Sequence, residues 1–319
     1  MPTGVSLSQA YRRRAPVGRG DIVYPAYWIA AALLIAMTML RVPMGQPAMI
    51  TAATLLFIGG GLPHGAYDIA LLRRAVSLDR SGLAIAVGGY AGIAMLMAIM
   101  WMALPLVALI LFLTVAAVHF GEDWPMLDEP LLRFAAGAAI IAAPTIGHPA
   151  DVSMLFVAMS DARASVIAQI VIAAAPVALL VTAVGIVVAW REGSRSWAAA
   201  MAICLLALVI LPPVIGFALF FVFLHSPRHL TQTRIMLRDM TLTSWLITGA
   251  ALSITAILGW WALHLLAASD TAPHLVGQAF QLLASVAVPH LLLSHWLENR
   301  QSRLGLPRPM PSTAGTGIT

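Results

Sequence analysis

Ten apolar stretches follow one another along this 319-residue chain, at about residues 24–40, 47–62, 83–103, 104–119, 131–146, 164–190, 196–211, 214–225, 244–267 and 275–296. A run of roughly 17–25 apolar residues is long enough to cross a hydrocarbon core of about 30 Å as a helix. In lipid the helix is favoured because it satisfies its own backbone hydrogen bonds. Several runs are short, notably 214–225. The sequence therefore predicts an all-α, polytopic transmembrane helical bundle of about 10 spans, with a range of 8–10. Composition agrees. The chain is 61% hydrophobic and 10% charged, where a soluble domain would carry about 25% charged residues. It has too little polar surface to face water on every side.

All 18 basic residues are arginine. The absence of lysine excludes a Schiff base on the chain's own side chains, so it is not an opsin that binds retinal that way. A single cysteine, Cys204, leaves no disulfide framework and no thiolate cluster. The net charge of +5 does not point to nucleic acid, because the arginines lie between apolar runs and read as topology signals. With ten spans and a cytoplasmic N-terminus, only Arg41 and Arg163 of the 18 fall on the outer side. Both termini are then cytoplasmic, and the expected setting is the lipid of a bacterial inner (plasma) membrane. The organisation read from this pattern is a basic segment at 1–22, a transmembrane helical domain at 23–298 carrying the functional site, and a flexible tail at 299–319. The first apolar run is longer than a signal-peptide core and is read as a retained helix.

Polar groups within a membrane are costly, so their depth points to function. In the ten-span reading His64, His119, His225, His229, His290 and His295 share the cytoplasmic ends of spans two, four, eight and ten. His148, His264 and His274 fall near the outer face. A lone histidine at such a depth is most simply an interfacial hydrogen-bonding group. Six at one depth, on four helix ends, read instead as a metal site.

The local sequences sharpen this. His64 sits in Gly59-Gly60-Gly61-Leu62-Pro63-His64-Gly65, a stretch expected to break a helix and admit close backbone approach. His119 is followed by Glu122 and Asp123. His225 and His229 have i, i+4 spacing, although Pro227 between them could distort the turn. His290 and His295 are five apart, about 140° around a helix, and are less suited to grip one ion. Imidazole suits iron, copper, zinc or nickel. Asp68, Glu122 and Asp123 fit a role as acceptors of the outer ring N–H of ligand histidines, although a carboxylate could itself be a ligand. Phe217, Phe220 and Phe221 could line a passage leading to His225. Gly88 and Gly92, at small-xxx-small spacing, read as a helix-packing contact.

At Pro63-His64-Gly65 with Asp68, His119 with Glu122-Asp123-Trp124, the pair His225 and His229, and Pro289-His290, the chain resembles the Brp/Blh family of membrane β-carotene 15,15′-dioxygenases. The resemblance runs from the second apolar stretch to the last. It implies an Fe(2+) enzyme that uses O2 to split the central double bond of β-carotene into two all-trans-retinal molecules. Carried over by position, the metal ligands and catalytic residues fall on His64, His119, His225 and His229, with His290 and His295 as additional candidates. Phe217, Phe220 and Phe221 would then be substrate-binding. β-Carotene and O2 are the implied substrates, and the product implies a functional link to a retinal-binding opsin. A rigid polyene serving a site at the helix ends would have to lie strongly tilted across the bundle.

Two other classes compete. Membrane desaturases and hydroxylases hold two irons in clustered histidine boxes, but only His225 and His229 have such spacing here. A transporter or a non-enzymatic retinal-delivery protein is the second. Carriers usually place ionisable groups near the midplane of their spans, and none is evident in these runs.

Overall fold

The computed structural model describes residues 23–76, 79–266 and 275–303, and among the described residues every regular element is a helix. The helices are α1 (Pro25–Met39), α2 (Pro47–Gly65), α3 (Asp68–Ala75), α4 (Arg80–Ala103), α5 (Pro105–Gly121), α6 (Pro130–Ala142) and α7 (Pro144–Gly147). They continue with α8 (Pro149–Met159), α9 (Ala164–Arg191), α10 (Arg195–Ile210), α11 (Pro213–Phe220), a π-helical turn at Phe221–His225, α12 (Ser226–Met236), α13 (Leu242–Leu266) and α14 (Leu275–Arg303). The basic segment 1–22, the tail beyond 303 and His274 lie outside the described residues, as does the side chain of His64.

Proline opens many of these elements. It occupies the first turn of α1, α2, α5, α6, α7, α8, α11 and α12. There its missing N–H costs nothing and its fixed φ is already helical. Leu104-Pro105 thus divides one long apolar stretch into α4 and α5. The start of α4 is capped instead by the Asp79 carboxylate, which accepts from Gly82 N at 2.8 Å.

Among the described residues seven helices are long and apolar enough to cross a membrane, and α1, α5, α8 and α10 are shorter apolar helices. The ten apolar runs of the sequence each correspond to one helix or to a consecutive pair. Helix α8, at Pro149–Met159, is a further short apolar helix outside those ten runs. The outer surface explains the setting. Ile29, Leu33, Val177, Leu180 and Ile247 are all more than half exposed, an arrangement stable against hydrocarbon rather than water. The chain is a helical membrane protein.

Small residues let the inner helices approach. A Cβ added at Gly137 of α6 would strike the carbonyl oxygen of Ala117 on α5, and one at Gly121 would strike that of Arg133. The pair Gly88 and Gly92 behaves differently from the sequence expectation. A Cβ at either meets nothing within 4 Å, so these glycines pack against nothing among the described residues. Buried hydroxyls tie helices together where hydrocarbon offers no other partner. Tyr27 of α1 donates to the carbonyl of Ala200 on α10 at 2.6 Å. Tyr67 donates to the carbonyl of Trp245 on α13 at 3.0 Å while its ring stacks on that indole at 3.7 Å.

Candidate metal centre

Four histidines from three parts of the chain meet inside the bundle. His119 ends α5, His225 closes the π-helical turn, His229 lies one turn further in α12, and His290 follows Pro289 in α14. Ring centroids are 4.7 Å apart for His119 and His225, 4.5 Å for His225 and His229, and 5.2 Å for His119 and His229. His290 stands 5.8 Å from His119 and 6.3 Å from His229. Pro227 does not disrupt the i, i+4 pair, because it falls in the first turn of α12, where a missing N–H is tolerated. The π turn before it adds width to the helix just where His225 must reach inward.

Each of three rings is held by a carboxylate. His119 Nδ1 donates to Glu122 Oε2 at 3.0 Å, His225 Nδ1 to Asp123 Oδ2 at 2.7 Å, and His290 Nδ1 to both oxygens of Asp68 at 2.9 Å. Asp123 also reaches His229, with Oδ1 3.5 Å from Nε2. Glu122 reaches a second ring too, His295, with Oε1 3.1 Å from Nε2. Burial raises the Asp123 carboxyl, but the charge and hydrogen bond of His225, then those of His229, outweigh this and hold it well below the usual carboxylate range. Glu122 is lowered in the same way, burial being opposed first by its hydrogen bond to His119. An ionised carboxylate on Nδ1 keeps the ring proton there and turns the Nε2 lone pair toward the cluster.

That donor chemistry fits a metal. One ring nitrogen from each of His119, His225 and His229 lies within 4.8 Å of the others, and the group is buried or nearly so. Neutral imidazoles of fixed tautomer are the commonest protein ligands of iron, copper, zinc and nickel. Arg228 secures the connector that carries Asp123. Its guanidinium donates to the Asp123 main-chain carbonyl and lies 5.1 Å from the Trp197 ring.

The cluster opens onto an apolar pocket whose wall includes His119, His290, Phe120, Phe217, Phe221 and Phe280. Phe220 is not in that wall. It is fully buried and packs edge-on against Phe120 at 5.0 Å. Gly61 makes room for the wall, since a Cβ there would strike the Phe221 ring. The glycines before His64 therefore do not break the helix. Helix α2 runs through Pro63 to Gly65, and of these glycines Gly60 and Gly61 serve close approach, to Val222 and Phe221. The cavity also follows the helices lengthwise rather than crossing them, reaching from His290 back to Phe280 along α14.

A sequence family described as β-carotene 15,15′-dioxygenase matches residues 53–298. The chain belongs to the β-carotene 15,15′-dioxygenase family. It is also similar to a protein of that name from uncultured marine bacterium 66A03, 28% identical over 270 residues, which covers 78% of this chain and 94% of the relative. No solved structure matches it.

Within this family member, the structure gathers His119, His225, His229 and His290, with Asp68, Glu122 and Asp123 around them. His64 sits in the last turn of α2, its side chain outside the described residues. His295 stands aside, half exposed and against Glu122, as its angular offset from His290 requires. His148 and His264 lie elsewhere, beside the carbonyls of Ile210 at 3.3 Å and Trp260 at 3.0 Å. The sequence reading missed Tyr90, which donates to Asp68 Oδ2 at 2.8 Å. Its signal was a lone phenol in the Gly-rich run of α4. It also missed the π turn, which no composition marks, and Phe112, Phe120 and Phe280 of the cavity wall.

Proposed function

We propose that this protein catalyses iron(II)-dependent oxidative cleavage of β-carotene at the central 15,15′ double bond with O2, giving two molecules of all-trans-retinal. One observation carries the reading: a cluster of histidines, three with the ring N–H engaged by a carboxylate, opens directly onto an apolar pocket in a membrane-embedded bundle. A hydrocarbon substrate dissolved in the bilayer can reach such a site without crossing water. Family membership supports the same chemistry.

In this proposal His64, His119, His225 and His229 hold the iron, and His290 is an additional ligand candidate. His295 acts at a distance through Glu122. Bound ferrous iron supplies the redox chemistry that allows dioxygen to react with an alkene. The protein does the rest. Asp68, Glu122 and Asp123 fix ring tautomers and orientations. The burial of His225 and Asp123 keeps bulk water from the reacting centre. Phe217 and Phe221 flank the polyene, and Phe220 supports them from behind. Holding one double bond near the metal is a positioning task, and misplacement on the order of 1 Å can cost about 100-fold. The stoichiometry closes without a reductant. The C=C and O–O bonds break, two C=O bonds form, and C40H56 with O2 becomes two C20H28O.

The setting we propose is a bacterial inner membrane, with about ten spans and both termini cytoplasmic. The retinal released would serve a retinal-binding opsin. Expression in cells that accumulate β-carotene tests the activity. Loss of colour with appearance of retinal is the expected result, and unchanged carotenoid in cells containing the folded, iron-loaded protein would overturn it.

A further inference from the structure

A second apolar pocket adjoins the first and shares Phe112, Ala116, Phe120, Phe217 and Phe280 with it. They form a near and a far chamber on either side of those shared side chains. The near chamber has His119 and His290 in its wall, whereas every side chain lining the far chamber is apolar. Its far end is formed by Ile140 and Pro144 with Val152, Phe156 and Met159 of α8. Ile140, Val152, Phe156 and Met159 are each no more than 4% exposed, so this part of the wall is packed from behind by neighbouring helices.

This end wall stands at a fixed distance from the histidines. Gln281 of α14 donates its side-chain N–H to the main-chain oxygen of Met159 at 2.7 Å. Gly277 lies so close beneath α8 that a Cβ would meet the Ala158 carbonyl oxygen at 2.5 Å. Helix α14 therefore carries His290 at one point and grips the end wall at another, nine residues away. At about 1.5 Å per residue this sets a separation of roughly 14 Å along one helix.

We infer that the two chambers join past the shared phenylalanines when substrate binds, that the far chamber receives one arm of the polyene, and that Phe156 and Met159 in its wall select the double bond presented to the histidines. This deepens the proposed function and rests on it. A rigid conjugated arm cannot shorten by coiling, so its ring stops at the end wall and the reacting bond is fixed by the length of the chamber. Symmetric cleavage then needs no polar recognition of the central carbons. It needs only a wall at the right depth.

Three measurements test this. First, a carotenoid analogue bearing a diazirine at one ring, bound anaerobically to the full wild-type chain in nanodiscs and irradiated, should label residues 152–159. Labelling confined to other helices overturns the inference. Second, Met159→Ala and Phe156→Ala deepen the chamber. They should lower the share of retinal and yield the C22 aldehyde and C18 ketone of the adjacent double bond, while the near-isosteric Met159→Leu keeps retinal as sole product. Third, Val152→Phe shortens the chamber and should reduce anaerobic β-carotene binding by roughly tenfold or more, with bound iron unchanged. If wild type cleaves β-carotene but the deepened variants give only retinal and Val152→Phe binds normally, the inference fails alone. If wild type leaves β-carotene intact, the proposed function itself fails.

Discussion

Replacing Asp123 with Asn should weaken iron binding more than the corresponding change at either other carboxylate. Asp123 contacts two rings of the cluster, His225 at 2.7 Å and His229 at 3.5 Å. A carboxamide has one oxygen and one NH2, so it can accept from one ring but must present donors to the other. Partners of this kind cost about 10–100-fold in metal affinity when changed. Asp123 is 2% exposed and water cannot take its place, which puts Asp123→Asn at the upper end, about 100-fold, or about 2.8 kcal/mol. Asp68 is similarly buried but holds one histidine, and Tyr90 braces it. Glu122 is 35% exposed, so solvent can replace part of its role, and Glu122→Gln should fall near 10-fold. The assay is competition for Fe2+ against a chromogenic chelator, with detergent-solubilised protein and with elution volume as a check on folding. An affinity for Asp123→Asn within about threefold of wild type, or a larger loss for Glu122→Gln, would refute the idea that these carboxylates act by fixing imidazoles.

Single changes of His64, His119, His225 or His229 to Ala should each abolish retinal formation and lower bound iron measured by elemental analysis. His148→Ala, far from the cluster, should do little. Gly137→Ala forces a methyl against the Ala117 carbonyl and should cost about 1–3 kcal/mol through overpacking, read as a lower midpoint in thermal unfolding in detergent. Reporter fusions should place both termini in the cytoplasm. An external C-terminus would break the shared-depth argument for the histidines.

The sequence alone determined that the chain is helical and lies in a membrane, because apolar runs of spanning length with few charges have no other low-energy state. It also determined several helix starts at proline, as at Leu104-Pro105, since that signal is a local property of one residue, whereas Pro63, Pro176 and Pro289 lie inside helices that packing keeps continuous. The histidines gathered in the structure are drawn from the group that the sequence placed at one face. What sequence could not decide was direction around each helix and pairing between helices. That His290 joins the cluster while His295 turns to Glu122 depends on how α14 is rotated against α5. Which carboxylate meets which ring, as in the contact of Asp123 with His225 across 102 residues of chain, depends on long-range packing. So do the two chambers themselves. Their walls come from α2, α5, α6, α8, α11 and α14, and a void between helices belongs to none of their sequences. The π turn at Phe221–His225 falls in the same class, because its extra width is favoured only once neighbouring helices are in place to receive the side chains it turns inward.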